Sequence, residues 1–315
     1  MGALIYDHTV TTAVTQLDIT GLSLEKGELY EMVATMVGGS GNHRLFANNN
    51  VTTANYYSQW LEASGTYIAG YRYNENYIGI IGATNYIFKA FIKLTNDGHY
   101  VISEKSTTSH GATSPGIYDV VMTSTFTMTN ITSLQLNAIN ANGIGINSRI
   151  QLYKVAEKVD EVIVAGSSVT QVDFTGLDIG KGNEYLLVSD VFNGGTSEDA
   201  NIYFNNDTTT SNYYSQRIYV TSTTVVAGRS NTPNYISNVP SLTGRSLAIT
   251  NIKLANSGYI NYQSNVVSSY GSTGIWINKW YGATVGTSSS ITKISVAGAT
   301  NNIAVGSRYE LYKLI

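Results

Sequence analysis

The sequence predicts an all-β chain of two tandem antiparallel β-sandwich domains of jelly-roll type, and three observations carry that expectation. The first is composition: 24 Tyr and 30 Gly stand against 3 Pro in 315 residues. Tyr and Thr suit pleated, half-buried surfaces while Asn and Gly supply turns, so the mixture describes many short strands. The second is period, since apolar and polar residues alternate in several windows and none sustains the 3.6-residue repeat of a helix. The third is duplication: the same segments return in the same order about 157 positions later.

Residues 15–30, TQLDITGLSLEKGELY, align with 170–185, TQVDFTGLDIGKGNEY, at 9 of 16 positions. Asn48-Asn49 then matches Asn205-Asn206, and the pentapeptide NYYSQ of residues 55–59 recurs unchanged at 212–216. Ile92-Lys93-Leu94-Thr95-Asn96-Asp97-Gly98 matches Ile252-Lys253-Leu254-Ala255-Asn256-Ser257-Gly258. Ser148-Arg149-Ile150-Gln151-Leu152-Tyr153-Lys154 matches Ser307-Arg308-Tyr309-Glu310-Leu311-Tyr312-Lys313. A period this long is a whole domain rather than a solenoid unit. We therefore expect one sandwich over 1–156, a charged linker over 157–161 (EKVDE) and a second sandwich over 162–315.

Each strand has its own signal. Phe88, Ala90, Ile92 and Leu94 form one apolar face with Lys89 and Lys93 on the other, the period of two expected of a half-buried strand. Asn-Asp-Gly, or Asn-Ser-Gly in the second copy, follows as a hairpin loop before Tyr100-Val101-Ile102 or Tyr259-Ile260 returns. Ile150 with Leu152, and Tyr309 with Leu311, mark a closing strand in each copy.

Composition also excludes. Charged residues make up 12% of the chain and the net charge is −3, so no basic field exists to hold nucleic acid. No cysteine is present, which removes disulfides, thiol chemistry and cysteine zinc sites. No run approaches the ~20 apolar residues of a membrane helix. The opening MGALIYDHTV lacks a basic region followed by an apolar one, so we expect a product folded in the cytosol without an export signal and without membrane insertion.

Candidate chemistry is sparse. Of His8, His43, His99 and His110, the last two stand opposite Tyr259 and Tyr270 in the other copy, which suggests surface rings rather than bases or ligands. The aspartate retained with its surroundings is Asp18, equivalent to Asp173; one per copy does not supply the two carboxyls a glycosidase needs. We expect it to accept backbone N–H groups at the Thr20-Gly21 turn. Nucleophile-elbow, phosphate-loop and dinucleotide fingerprints are missing. No catalytic, cofactor-binding or metal-ligating residue is nominated, and a non-enzymatic protein without cofactors is expected.

The pentapeptide poses the sharper question. Adjacent strand residues point to opposite faces, so one ring of Tyr56-Tyr57, and one of Tyr213-Tyr214, must look outward. In a structural reading the inward ring packs the sandwich while Asn and Gln close hydrogen bonds. In a functional reading Asn55, Tyr56, Tyr57, Gln59 and Trp60, with Asn212, Tyr213, Tyr214, Gln216, Trp276 and Trp280, form a contact surface, since Tyr and Trp give large areas with a polar tip. The tryptophans are not duplicated, because Arg217 follows Gln216 where Trp60 follows Gln59.

The series Asn205-Asn206-Asp207-Thr208, Asn212-Tyr213-Tyr214-Ser215-Gln216, Gly228-Arg229-Ser230-Asn231 and Gly306-Ser307-Arg308-Tyr309-Glu310-Leu311-Tyr312 resembles repeats in virion structural proteins of tailed bacteriophages, including head-decorating and tail-associated ones. The first copy departs from it, having Asn48-Asn49-Asn50 without the aspartate and Tyr71 between Gly70 and Arg72. The resemblance implies a non-enzymatic exterior component of a virion, assembled in the host cytoplasm, decorating the capsid or forming part of a tail or fibre. Its partners would be other virion proteins and further copies of itself. The alternative is a carbohydrate-binding module or adhesin recognising a cell-surface glycan.

Overall fold

The computed structural model describes residues 2–38, 42–64, 67–78, 85–110, 114–155, 158–192, 198–221, 223–230, 235–239, 244–270, 275–298 and 303–314. The chain divides into two compact units, one formed mainly by Met1–Val155 and the other by most of the remainder.

In the first unit the strands are β1 (Ala3–Thr9), β2 (Gln16–Glu25), β3 (Leu29–Val37), β4 (His43–Ala47), β5 (Tyr56–Ser64), β6 (Tyr67–Tyr73), β7 (Tyr77–Ile78), β8 (Asn85–Leu94), β9 (His99–His110), β10 (Ser114–Thr127), β11 (Asn130–Ala138) and β12 (Arg149–Lys154). They make an eight-stranded sheet of order β1-β12-β3-β8-β9-β10-β5-β6 and a four-stranded sheet of order β2-β11-β4-β7. Without β5, β6, β9 and β10 the orders become β1-β12-β3-β8 and β2-β11-β4-β7, the two interlocked Greek keys of a jelly roll. The two inserted strand pairs widen one sheet beyond the other.

The second unit holds β13 (Lys158–Ile163), β14 (Gln171–Gly180), β15 (Glu184–Phe192), β16 (Glu198–Phe204), β17 (Tyr213–Thr221), β18 (Thr224–Ser230), β19 (Tyr235–Val239), β20 (Arg245–Leu254), β21 (Ile260–Ser268), β22 (Trp276–Thr284), β23 (Ser290–Gly298) and β24 (Arg308–Leu314). Its sheets run β13-β24-β15-β20-β21-β22-β17-β18 and β14-β23-β16-β19, the first unit's orders strand for strand. Duplication therefore preserved topology, inserted strands included.

Alternation places the cores where the pattern predicts. Phe88, Ala90, Ile92 and Leu94 of β8 meet Ile19 and Leu24 of β2, Leu45 of β4 and Leu134 and Leu136 of β11 between the sheets, with Ile150 and Leu152 beside them. Phe174, Leu187, Ile202, Ile252, Ile294, Tyr309 and Leu311 do the same in the second unit. The hairpin loops close as expected: Gly98 and Gly258 both sit at φ 93°, in the left-handed region that favours glycine.

Three expectations are corrected. The charged run read as a linker is, from Lys158 onward, strand β13, paired with β24 at the edge of the second large sheet. Lys158 Nζ lies 2.9 Å from Glu161 Oε2, and Arg308 pairs with both Glu161 and Glu310. Charge density marked an edge strand, where charges deter unwanted pairing, rather than a solvated linker. Asp18 lies within β2, not at a turn, and its Oδ1 accepts the amides of Gln16 (3.0 Å) and of Gln135 across the ladder (2.8 Å). Gly21 and Gly176 are positive-φ residues at which these strands lose register. His99 is buried, its Nδ1 3.0 Å from the Ser124 carbonyl and its Nε2 3.6 Å from Asp97.

Candidate functional site

The repeated pentapeptide belongs to a latch that joins the small sheet to the inserted strands of the large one. After β4 and β16 the chain turns through two left-handed residues, Asn48 (φ 51°) and Asn49 (57°), or Asn205 (54°) and Asn206 (62°), a conformation Asn tolerates better than other side chains with a Cβ. Asn48 Oδ1 accepts the Thr132 N–H (2.7 Å) and hydroxyl (3.2 Å) while its Nδ2 donates to the Asn130 carbonyl (2.7 Å). Asn205 repeats this with Thr292 (2.7 and 3.2 Å) and the Ser290 carbonyl (2.9 Å).

Asn50 and Asp207 hold the next step. Asn55 Nδ2 donates to Asn50 Oδ1 at 3.0 Å, and Asn212 Nδ2 to Asp207 Oδ2 at 2.8 Å. The Tyr56 hydroxyl donates to the Asn50 carbonyl (3.0 Å) and accepts the Ala47 N–H (3.2 Å). Tyr213 does likewise with Asp207 (2.7 Å) and Phe204 (3.0 Å). Burial pushes both phenols up to about 12, so they remain neutral donors. Each ring packs edge-on in its core, Tyr56 against Phe46 and Phe126, Tyr213 against Tyr203. Asn50 can become Asp207 because either side chain accepts the carboxamide of Asn55 or Asn212 and the N–H of Thr52 or Thr209.

This geometry removes most of the expected contact surface. Tyr56, Gln59, Trp60, Tyr213 and Trp280 are buried, because their strand faces lie under other side chains. Gln59 Oε1 accepts from Arg72 Nε at 3.2 Å. Asn55 and Asn212 are half-buried in the latch, and Tyr57 and Trp276 are half-buried on β5 and β22. Tyr214, 46% exposed, and Gln216 are the exposed members.

The two units part company on the inner face of β10, β5 and β6, where the wide sheet runs beyond the narrow one. In the first unit Trp60, Tyr118 and Val120 form a separate cluster with Tyr71, Tyr73 and Tyr77. Tyr73 and Tyr77 meet the Trp60 ring edge-on with centroids 5.2 and 5.8 Å away, and Tyr71 stacks on Tyr73 at 6.2 Å. The polar rim consists of Glu62, which accepts the Tyr118 hydroxyl at 3.0 Å, and Arg44, paired with Glu75 and 5.2 Å over the Tyr77 ring. Trp60 Nε1 is buried with no hydrogen-bond partner among the described residues. Counting from the pentapeptide, Arg217 stands at the Trp60 position and Gly228 at that of Tyr71. Trp280 takes the place of Val120, and Arg217 lies 5.3 Å over its ring and 4.6 Å over Tyr219. Half-buried Tyr rings beside a carboxylate and a guanidinium offer flat apolar faces with hydrogen-bond acceptors and donors at their margin.

The described histidine side chains form no shared site. His43 is enclosed between the Tyr86 hydroxyl (2.6 Å from Nδ1) and the Gly143 carbonyl (3.2 Å from Nε2), and burial lowers its pKa to about 4. Exposed His8 stacks on Tyr6, and the His110 side chain lies outside the described residues. Burial would raise Asp173, but bonds from Ser295, Lys293 and Gln171 outweigh it and hold the carboxyl below its usual range. Among the described residues, no three His, Asp or Glu side chains converge to hold a metal ion, and no helix is long and apolar enough to cross a membrane.

No family model and no curated protein matches the chain. Among solved structures, domains LG4-5 of the mouse laminin alpha1 chain align over 99% of this chain and 91% of theirs, with 11% identity and a TM-score of 0.19. The tesB protein of Mycobacterium avium subsp. paratuberculosis aligns over 73% and 77%, with 6% identity and a TM-score of 0.15. An acyl-CoA hydrolase from Agrobacterium tumefaciens aligns over 70% and 74%, with 8% identity and a TM-score of 0.13. Similarity this low carries no argument about fold or function.

Proposed function

We propose that the chain is a non-enzymatic structural component of a bacteriophage virion, placed on the capsid exterior or in a tail or fibre, and working by multivalent protein–protein contact. The observation that carries the reading is what the two units hold in common: latch, cores, hairpin loops and strand order, all of them framework. Duplication thus multiplied a scaffold, and a scaffold repeated many times on a particle gains avidity without strong single contacts. The resemblance of the Asn-Asn, NYYSQ and closing-strand motifs to phage virion repeats supplies the setting. Peptide mass spectrometry of purified, intact particles tests it: the chain is expected at a stoichiometry of many copies, and its absence from particles ends the proposal.

A second reading, glycan recognition, is favoured by the aromatic cluster of the first unit. Sugar rings pack their C–H faces on aromatic side chains while carboxylate and guanidinium groups take the hydroxyls. Tyr77→Ala is expected to abolish any glycan-array signal of the full chain while Tyr214→Ala leaves it intact. A wild-type array without signal removes this reading. Trp60 is unsuited to the test, because its burial makes it part of the fold.

A further inference from the structure

Where the wide sheet runs beyond the narrow one, its inner face carries charge of opposite sign in the two units. In the second unit the protein supplies its own cation: the Arg217 guanidinium lies 4.6 Å over the Tyr219 ring and 5.3 Å over that of Trp280. A guanidinium on aromatic faces is held by the ring quadrupoles, an attraction that grows as water is excluded. In the first unit Trp60 takes the place of Arg217, and Glu62, two residues further along the strand, takes that of Tyr219. Trp60 and Glu62 both point inward, opposite Val120 and Tyr118 in the β5–β10 ladder. The cation is thus replaced by a ring and its aromatic neighbour by a carboxylate. A second carboxylate, Glu104, is buried in the same inward row opposite Val120, where the second unit has Ser264 opposite Trp280.

We propose that this face of the first unit binds an arginine side chain presented by a partner, with the guanidinium beside Glu62 and flat against the tyrosine rings. Among the described residues the Glu62 carboxylate meets only the Tyr118 hydroxyl, at 3.0 Å. Arg44, the cation at the rim, is neutralised by Glu75. Tyr71 is the diagonal neighbour of Glu62 across the β5–β6 ladder, and Tyr71, Tyr73 and Tyr77 are half-buried, so each ring keeps part of its surface open. Trp60, Tyr73 and Tyr77 meet pairwise at 62°, 80° and 88°, and so turn their faces in different directions, as the walls of a corner do. Charge complementarity identifies the occupant. The fold joins rings and a guanidinium at this place once already, and the first unit has the rings and an acid but no guanidinium at the Arg217 position. The inference rests on neither reading of the function: a protein absent from particles and silent on a glycan array could still bind arginine, and one that does both could fail to.

Saturation-transfer difference NMR of the full chain with N-acetyl-arginine amide tests this. N-acetyl-citrulline amide serves as the uncharged isostere and methyl glucoside as a neutral sugar. The arginine derivative is expected to bind in the millimolar range and at least about tenfold more tightly than the citrulline derivative, as stacking strengthened by a carboxylate demands. Glu62→Gln keeps an acceptor for the Tyr118 hydroxyl and removes the charge, so it is expected to weaken arginine binding about threefold or more and to leave citrulline unchanged. Tyr71→Leu removes a ring and is expected to weaken both, while Tyr214→Ala alters neither. An unchanged circular dichroism spectrum verifies that each variant is folded. Absence of saturation transfer to the arginine derivative, equal affinity for arginine and citrulline, tighter binding of methyl glucoside than of arginine, or arginine binding unaltered by both Glu62→Gln and Tyr71→Leu would each overturn the proposal.

Discussion

Gly282 of β22 is a position where the fold predicts a large coupling between two residues. A Cβ built on Gly282 would lie 2.0 Å from Cζ and 2.2 Å from Oη of Tyr262, its direct partner across the β21–β22 ladder. Tyr262 is buried with its ring 6.1 Å from that of Phe204, so it cannot swing away freely. At the equivalent pair of the first unit, Ile102 faces Met122. The same volume is filled there by two medium side chains and here by one ring over a glycine. Gly282→Met alone overpacks the site, at about 1–3 kcal/mol. Tyr262→Ile alone leaves a cavity, at about 3 kcal/mol or more. Together they recreate the first unit's pair, so the double variant should lose less than either single, with a coupling energy of at least about 2 kcal/mol. For a domain of this size that equals a Tm difference of about 4–8 °C between the observed double variant and the sum of the singles. Differential scanning calorimetry of the four proteins measures it. Additive shifts, or a Gly282→Met chain as stable as wild type, would refute the reasoning.

Asn48→Ala is expected to lower stability by about 3 kcal/mol, since it forfeits the carboxamide's bonds to Thr132 and Asn130 and forces alanine to φ 51°. Asn48→Gly should lose less, because glycine accepts the backbone angle; equal losses would assign no weight to the left-handed turn. Folding keeps His43 neutral with its pKa down at about 4, whereas the unfolded chain takes up the proton below its ordinary 6.5. The stability this group contributes is complete above pH 6.5 and is lost as pH falls towards 4, by about 3 kcal/mol. The denaturation gap between wild type and His43→Asn should accordingly narrow by about that amount from pH 7 to pH 4, and a constant gap would contradict it.

Much of this architecture was legible because alternation and turn chemistry coincide. The face of Phe88, Ala90, Ile92 and Leu94, the glycine after Asn-Asp, and the closing Ile150 and Leu152 each carry a local signal that the core then uses. The period of two was enough to show that one ring of each Tyr-Tyr pair turns inward, but that it is Tyr56 and Tyr213 depends on the Asn50 and Asp207 carbonyls that take their hydroxyls. What escaped depended on partners distant in sequence. Lys158, Asp160 and Glu161 read as solvated until Arg308 and Glu310 of β24 are placed beside them. His99 is interchangeable with exposed Tyr259 in an alignment, yet it is buried through Asp97 and the Ser124 carbonyl, of which the first is Ser257 in the other copy. The aromatic cluster was half visible: Trp60 stood out, but Tyr71, Tyr73 and Tyr118 join it only because inserted strands bring β6 and β10 to either side of β5, and Tyr77 reaches it from β7 of the other sheet.

Two adjacent residues of the second pentapeptide test most directly whether the repeated motif is framework. Tyr213→Phe removes one hydroxyl that accepts the buried Phe204 N–H and donates to Asp207, a loss of about 1–3 kcal/mol. Tyr214→Ala deletes a whole ring that stands in solvent. Calorimetry of the full chain is predicted to show a Tm lowered by several degrees for Tyr213→Phe and nearly unchanged for Tyr214→Ala. A stable Tyr213→Phe beside a strongly destabilised Tyr214→Ala would show that the pentapeptide was kept for its outward face, and would contradict the latch.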